Sequence, residues 1–401
     1  MRFFRVAGKA IIPIFAPLLW IFVLFDKVLN RQCGRKTSKN RKILLIAQNK
    51  VAADHIRLIW NLLKDDPRLD LFVSDDQLVN RHFSKSDLKR IVEEKTINIL
   101  QALFFHWDLI IFVNHPWGLG VWFAPFIKKI YVNHGICTGK INNEMGEDGV
   151  YGRSRVIRPF HRPFYDKMFA SSSFEKEYGV LSTKELQSRI VTTGFLRADL
   201  IEKLNEEKKV EIRKRMGLSD KIVVHIISTW GPTSLFQTIG EELLFEAIRI
   251  SNRYKFIFSL HPRHDEFGDV RGRKRKDIIE KYKSQGIEPV DELAWDEYVV
   301  AADLAVSDHS SLCLYYILLN KPVILVPVKG ESYIKNSAFN QLMKYAFTLK
   351  NPENLGNLIQ IALKNPNQEK MSRLGRTLRN YPGQGADRYK EEIYGMLNLW
   401  Q

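Results

Sequence analysis

The 401-residue chain is poor in cysteine, and its three cysteines lie far apart. Cys33, Cys137 and Cys313 form no CxxC pair, which argues against a zinc-binding module and against a small disulfide-stapled domain. No cluster of His, Cys, Asp and Glu has metal-ligand spacing, so we expect neither a metal nor a cofactor. Internal repeats and low-complexity tracts are also missing. These features are typical of a globular protein that works in a reducing compartment.

The chain also lacks an apolar run long enough to cross a bilayer as a helix. Its longest run, Ala10 to Phe25, falls short of the roughly 20 residues that a span requires. Pro13 and Pro17 would each remove a helix hydrogen bond. No small-residue cleavage site follows the run, which argues against a signal peptide.

Basic residues flank this run on both sides. Residues 1–42 hold ten Lys or Arg against one acid, whereas the whole chain has a formal charge of +16. We therefore expect residues 1–41 to lie on an anionic membrane surface, at the cytoplasmic face, as a peripheral (monotopic) segment. A helix packed on the protein itself and a true span are the alternatives. Nucleic acid is not expected as a partner, because zinc-finger spacing and aromatic RNP-type strands are missing.

From residue 42 onward, short apolar runs alternate with longer amphipathic stretches. Strands that are apolar throughout are typical of a parallel sheet covered on both faces by helices. A charged stretch at residues 201–218 reads as a linker helix, and it separates residues 42–200 from residues 219–401. We therefore predict two doubly wound α/β domains with a cleft between them. The predicted strands are Lys42–Ala47, Leu71–Val73, Leu109–Val113, Lys129–Asn133, Lys167–Ala170, Ile190–Thr193, Lys221–Ile227, Phe256–Leu260, Leu304–Val306 and Pro322–Val326.

The residues that follow the predicted strands are rich in histidine, arginine, glycine and hydroxyl groups. Ligands of such sheets bind beyond the carboxyl ends of the strands. A structural role in the core would explain one strand-end histidine well, but not four. The segments concerned are Asn114–Pro116, Asn133–Gly135, Thr193–Arg197, Ser228–Gly231, His261–His264 and Ser307–Ser311.

His134 is the candidate general base, because it follows a strand and Gly135 allows close backbone approach. An imidazole of ordinary pKa near 6.5 suits proton transfer from an acceptor hydroxyl at neutral pH. The alternative is a structural histidine whose ring is bonded to backbone. His115 is a weaker candidate for the same kind of role.

The C-terminal half offers a candidate phosphate site. Ser310 and Ser311 stand before a predicted helix, where hydroxyls and free backbone N–H groups can bind phosphate. His261 follows another strand and could donate to a phosphate oxygen, while Arg263 could neutralise charge. The alternatives are plain helix capping by Asp308 or Ser310, and a turn of exposed polar residues.

The motifs as a set resemble the CDP-glycerol glycerophosphotransferase family, which builds teichoic acid and related capsule polymers. Their order matches the family pattern from about residue 100 to near the C-terminus. Three positions depart from it: Leu196 replaces a proline, Gly231 replaces an arginine, and Tyr315 stands where the family usually has an aspartate. The matching motifs are His134-Gly135, Gly194 to Asp199, Thr229-Trp230, His261-Pro262, Ser307 to Ser311 and Lys321-Pro322.

The resemblance implies a GT-B fold of two Rossmann-like domains, with the acceptor on the first and the donor nucleotide in the second. It implies that an acceptor hydroxyl attacks the β-phosphate of a CDP-polyol and releases CMP, at the cytoplasmic membrane face, on a polyprenyl-linked or glycolipid acceptor. It implies no obligate metal. By matched position His134 is the base, while His261, Ser310 and Ser311 hold the donor phosphates. His134 and His261 are the two catalytic candidates. The donor-site candidates are Thr229, Arg263, Ser307, Asp308, Ser310 and Ser311, and the acceptor-side candidates are His115, Gly135, Arg197 and Asp199.

Two other functions stay open from the sequence. A GT-B glycosyltransferase that uses a nucleotide sugar has the same architecture, and the departures at Gly231 and Tyr315 fall in the donor half. A membrane-tethered binding protein without turnover is the second. A sugar-nucleotide epimerase is less expected, since its soluble substrate needs no lipid anchor. No oligomeric state is predicted.

Overall fold

The computed structural model describes residues 17–25, 28, 40–47, 50–75, 95–116, 123–142, 147–158, 162–218, 221–266, 269, 271–291, 294–327, 330, 332–364 and 366–399. Residues 17–25 of the expected membrane segment form a helix (α1), and most of the remainder of residues 1–41 lies outside the described residues. Within the described part, no helix combines the length and apolarity that a bilayer span needs.

The N-terminal half is built on a six-stranded parallel sheet in the order β10–β9–β4–β3–β1–β2. Successive side chains of β1 enter separate cores, Ile43 and Leu45 on one face and Leu44 and Ile46 on the other. This alternation follows from the two-residue period of a strand. The strands are β1 Arg41–Ala47, β2 Leu69–Asp75, β3 Leu109–Val113, β4 Lys128–Val132, β9 Lys167–Ala170 and β10 Ile190–Thr192, with short antiparallel pairs β5 Ile141–Asn142 with β6 Glu147–Asp148 and β7 Ile157–Arg158 with β8 Arg162–Pro163.

The C-terminal half has a second six-stranded parallel sheet, in the order β13–β12–β11–β14–β15–β16. Chain order reverses between β11 and β14, so their carboxyl ends open a crevice where ligands bind in such sheets. Two further apolar clusters cover its faces. The strands are β11 Ile222–Ile227, β12 Tyr254–Ser259, β13 Glu288–Pro289, β14 Leu304–Ser307, β15 Val323–Leu325 and β16 Phe347–Thr348.

Helices cover both faces of the two sheets, as the apolar strands predicted. They are α2 Lys50–Leu63, α3 Ile99–Phe104, α4 Arg153–Val156, α5 Ser173–Ser182, α6 Leu196–Arg215, α7 Gly240–Arg249, α8 Arg275–Lys283, α9 Trp295–Ala301, α10 Cys313–Leu318, α11 Ala338–Tyr345, α12 Leu355–Leu363, α13 Gln368–Thr377 and α14 Gly385–Leu397, with 3-10 turns at Lys184–Leu186, Leu235–Gln237, His264–Glu266 and Pro352–Asn354. The predicted α/β architecture of two doubly wound domains is therefore confirmed.

The division between the domains differs from the predicted one at the C-terminus. Helix α14 was expected in the C-terminal domain, but Tyr389 and Ile393 pack into the core of the N-terminal sheet with Ile43 and Leu45. The reason is that the chain crosses back after α13, where the Asn380 backbone N–H donates to the Ser171 carbonyl over 2.9 Å. The predicted linker helix begins earlier than expected, at the start of α6.

A backbone strap also joins the two domains beside the cleft. The Ile334 N–H donates to the Gly139 carbonyl over 2.8 Å, and the Ile141 N–H donates to the Ser332 carbonyl over 2.9 Å. Gly139 has φ +74°, and a Cβ there would lie 2.2 Å from the Ser337 Cβ. Only glycine fits this approach, since other residues would be both strained and in collision. The strap fixes the segment that follows His134.

Candidate active site

A cleft lies between the carboxyl edges of the two sheets and is lined by both domains. The N-terminal domain contributes Val51, Asp54, His134 and Gly135. The C-terminal domain contributes the larger share, which includes Ser228, His261, Trp295, Ser310, Ser311 and Tyr315. His134 and His261, the two predicted catalytic residues, therefore line one cavity.

His134 follows strand β4 and is half-buried, with its Nδ1 atom 2.5 Å from the Oδ1 atom of Asn114. Burial lowers the pKa of His134 to about 4, because a charged imidazole loses hydration there. The ring is consequently neutral at physiological pH. A neutral imidazole that faces a cavity can accept a proton from a bound hydroxyl.

His261 follows strand β12 and is held as a hydrogen-bond donor. The backbone N–H of Arg263 donates to its Nδ1 over 3.0 Å, so the ring proton of the neutral form resides on Nε2. Burial first, and then the nearby Arg263 and His134, lower the pKa of His261 to about 3. The ring therefore offers an uncharged N–H to an anion. Both imidazoles line the same cleft.

The hydroxyl-rich segment before α10 meets the N-terminal domain at Gly135. A Cβ at Gly135 would lie 3.6 Å from the Ser311 Oγ and 3.9 Å from the Tyr315 hydroxyl oxygen. A methyl side chain at residue 135 would thus be in van der Waals contact with the C-terminal domain. Ser310 and Ser311 line the cleft beside the imidazole of the opposite domain, so a phosphate on these hydroxyls would lie within reach of His134.

Three of the predicted donor-site residues do not line the cleft but lie behind its wall: Thr229, Ser307 and Asp308. The buried carboxylate of Asp308 accepts from the backbone N–H groups of Thr229 and Leu235, each over 2.9 Å, and of Ser310 over 3.1 Å. Ser307 is fully buried. Burial raises the pKa of Asp308. These contacts tie the loops after β11 and β14 together at the point where the strand order reverses.

Arg263 is also placed outside the cleft lining. Its guanidinium carbon stacks 3.5 Å above the centre of the Trp230 ring, which is a cation–π arrangement. The two residues support the loop that carries His261, whose ring lies 6.1 Å from that of Trp230. Arg263 was predicted to neutralise charge on the donor, but its side chain does not line the cleft.

His115 lies in the core, which corrects its prediction as a cleft residue. Its Nδ1 is 2.9 Å from the Tyr165 hydroxyl, its Nε2 is 2.7 Å from the Val150 carbonyl, and its ring stacks on Tyr131. Both ring nitrogens are thus occupied, and burial lowers the pKa of His115 to about 3. This is the structural alternative that was left open for strand-end histidines.

Arg197 and Asp199 were predicted on the acceptor side, and the structure gives both a joining role. Arg197 is 1% exposed, and its guanidinium pairs with Asp54 of the N-terminal domain and, over 2.6 Å, with Asp296 of the C-terminal domain. The Asp199 carboxylate accepts from the backbone N–H groups of Gly383 and Gly385 at the start of α14. Neither residue lines the cleft.

Sequence reasoning missed the partners of these residues. Asn114 stands within one of the strand-end segments, next to the His115 that was chosen in its place. Asp54 lines the cleft from α2 and burial raises the pKa of its carboxyl, but no local pattern distinguishes it from other helix residues. Among the described residues, no group of three or more His, Cys, Asp or Glu is arranged to hold a metal ion.

The profile of the family described as CDP-glycerol:poly(glycerophosphate) glycerophosphotransferase matches residues 28–380. The chain belongs to this family. It is 23% identical over 291 residues to the teichoic acid poly(ribitol-phosphate) polymerase of Bacillus spizizenii (strain ATCC 23059 / NRRL B-14472 / W23), a match that covers 67% of this chain and 43% of that protein. The chain therefore spans less than half the length of that relative.

Solved structures show the same fold at low sequence identity. The wall teichoic acid polymerase TagF superposes with a TM-score of 0.57 at 15% identity, covering 94% of this chain and 98% of that one. S. aureus MnaA in complex with UDP superposes with a TM-score of 0.59 at 14% identity, covering 90% and 98%. The GT-B-like arrangement of two parallel-sheet domains is thereby confirmed.

Proposed function

We propose that this protein transfers glycerol-phosphate or ribitol-phosphate from a CDP-activated donor to a hydroxyl of a lipid-linked acceptor, and releases CMP. The product would be a teichoic acid or a capsule-type surface polymer. One observation carries the proposal: a single cleft brings a neutral imidazole of one domain against an imidazole N–H and paired serine hydroxyls of the other. Membership of the glycerophosphotransferase family supports it.

The proposed reaction divides the work between the two domains. The acceptor hydroxyl gives its proton to His134 as its oxygen forms a bond to the β-phosphorus of the CDP-polyol. The bond from that phosphorus to the CMP oxygen breaks, and the electron pair leaves with CMP. The Nε2–H of His261 and the hydroxyls of Ser310 and Ser311 donate to phosphate oxygens, where negative charge develops in the transition state.

The exposed apolar side chains of helix α1 support the proposal that the acceptor is linked to a lipid. Val23 packs into the core of the N-terminal domain, whereas Ile21, Phe22 and Phe25 are 61%, 70% and 60% exposed. Exposed apolar side chains beside the basic flanks of the sequence suit the interface of an anionic membrane. We propose peripheral attachment at the cytoplasmic face, which flotation with anionic vesicles measures.

Product analysis tests the proposed transfer. The full-length protein is incubated in turn with CDP-glycerol, CDP-ribitol and UDP-sugars, together with a lipid-linked acceptor, and released nucleotides are separated. We expect acceptor-dependent CMP from a CDP-polyol and no UDP, and we expect the His134→Ala variant to lose the signal. CMP release in the variant as fast as in the wild type would contradict the assignment of the site.

A nucleotide-sugar glycosyltransferase is the second candidate, because of the composition of the donor side. Among the described lining residues there is no lysine or arginine, and Tyr315 lines the cleft where the family has an aspartate. The phosphates of the donor would therefore rest on neutral hydrogen-bond donors. In the product analysis, UDP release with sugar incorporation would establish this second candidate and overturn the first.

A further inference from the structure

Asn114 contacts His134 from outside the cleft lining, and the proposed chemistry has not used this contact. The two residues lie at neighbouring strand ends, because β3 and β4 pair in register at Val113 and Val132. The backbone N–H of Asn114 donates to the Val132 carbonyl over 3.1 Å. This pairing brings the side chain of the residue after β3 beside the residues that follow β4.

The backbone of Asn114 turns its amide toward His134 and sends the next residue the other way. Its φ is +74°, in the left-handed region that asparagine tolerates better than most residues do. His115 consequently enters the core, while the Asn114 Oδ1 lies 2.5 Å from the His134 Nδ1. An amide oxygen can only accept a hydrogen bond, so the proton between them belongs to Nδ1.

We propose that Asn114 is a positioning residue that holds His134 in the tautomer with Nδ1 protonated and Nε2 free to accept a proton. The inference rests on the proposed function for its meaning in catalysis, but not for its geometry. The opposite tautomer is fixed at His261, where a backbone N–H occupies Nδ1. One ring is thus prepared to take a proton and the other to donate one, although both are neutral histidines at strand ends.

Two substitutions at residue 114 separate positioning from folding. Asn114→Gly deletes the amide but keeps a residue that adopts φ +74° without strain. Asn114→Asp keeps an acceptor oxygen at the same place and adds a negative charge. We expect the glycine variant to lose about 10- to 100-fold in kcat, since the base is no longer oriented. The aspartate variant should keep most of the activity at neutral pH.

The pH profile provides a signature that a purely structural role would not produce. A carboxylate beside His134 should raise the pKa of the imidazole by about 1–3 units. A raised pKa means that the base is lost at higher pH, so the acid limb of kcat/KM should move upward in Asn114→Asp. Asp54, His261 and Tyr315 share the cleft with His134, and His55 lies near it. These groups are unchanged in both variants.

Nitrogen NMR of histidine-labelled protein reads the tautomer without turnover. We expect a protonated Nδ1 and an unprotonated Nε2 at His134 in the wild type and in Asn114→Asp, and a mixture of tautomers in Asn114→Gly. A protonated Nε2 in the wild type, or a glycine variant with wild-type tautomer and kcat, would overturn the inference. If no CDP-polyol is turned over, the proposed function fails, while the NMR result still decides the role of Asn114.

Discussion

The two domains present different surfaces to their surroundings. The described part of the C-terminal domain exposes a few large apolar side chains, and these lie on separate elements: Ile222, Phe245, Met343 and Ile361. The N-terminal domain exposes several that follow one another within α1 and around α3: Leu18, Ile21, Phe22, Leu24, Phe25, Leu100, Phe104 and Phe105. Grouped apolar side chains mark interaction sites, whereas scattered ones are normal. The contrast agrees with the proposal that a lipid-linked acceptor binds the N-terminal domain and a water-soluble donor binds the C-terminal domain.

The same contrast continues inside the cleft. The N-terminal domain contributes an imidazole whose partner is an amide oxygen, and the C-terminal domain contributes hydroxyls and an imidazole N–H. One wall is therefore suited to accept a proton and the other to bind an anion. Two domains with the same fold and similar strand-end residues thus differ in what their cleft side chains can do, because those side chains have different hydrogen-bond partners.

Removal of each imidazole should produce the largest effect and should separate the two roles. We expect His134→Ala to lower kcat by about 10²- to 10⁴-fold, as for a lost general base. Because burial lowers its pKa to about 4, the wild-type rate should fall only below about pH 5, where the ring becomes protonated. This acid limb should vanish in His134→Ala and persist in His261→Ala.

Full pH profiles of kcat and kcat/KM measure this difference. His106→Ala is a matched control, because that histidine precedes β3 at the opposite edge of the sheet, and its kcat should stay within about twofold of the wild type. Identical pH profiles for the two cleft variants would remove the distinction between the walls.

Arg197, Asp54 and Asp296 form an ion triad that joins the two domains. Its disruption tests whether the two domains depend on each other for stability. Arg197→Ala removes the cation that the buried carboxylates of Asp54 and Asp296 share, and in the described part of the chain only Asp54 keeps a second partner, Arg57. The loss should cost about 3–5 kcal/mol of unfolding free energy, because Asp296 stays buried without its cation. Arg388→Ala, which removes an exposed pair with Glu391, should cost less than about 1 kcal/mol. Urea unfolding followed by tryptophan fluorescence measures both. Equal stabilities of the two variants would show that the domains do not depend on the triad.

The smallest expected effect concerns the apolar surface itself. Phe22→Ser should weaken binding to phosphatidylglycerol vesicles by about 10- to 100-fold, since about 1.5–3 kcal/mol accompanies the burial of such a side chain. Phe245→Ser is the matched control on the C-terminal domain, where the phenyl ring is 51% exposed, and it should leave vesicle binding unchanged. Co-sedimentation of each full-length variant with the vesicles measures the loss of binding. Equal losses of vesicle binding in the two variants would contradict the proposal that helix α1 contacts the membrane.

Much of the fold was predictable, because strands buried on both faces appear as apolar runs. Leu109–Val113 and Lys167–Ala170 were predicted with their observed bounds. The edge strands Glu288–Pro289 and Phe347–Thr348 were missed, since two residues produce no periodic signal. The position of α14 was missed for another reason: its apolar face gives no indication of which of two similar sheets it covers.

Within the site, the sequence predicted which residues follow strands, but it did not predict whether their side chains face the cleft or the core. His134, His261, Ser310 and Ser311 were chosen because they follow strands, and the structure brings all four into one cleft. His115 was chosen by the same rule and lies in the core. The difference arises from the left-handed backbone of Asn114, which asparagine allows but does not require.

The pattern of apolar runs was enough to predict the layers of this protein and the sheet edge at which its polar residues gather, because parallel strands end together. Which of those residues face the cleft, and which hydrogen-bond partners they have there, depends on contacts between distant parts of the chain. Arg197 finds its carboxylates 143 and 99 residues away, and His134 receives its tautomer from a strand end 20 residues earlier. Such contacts depend on dihedral angles and domain packing that no local pattern of residues records.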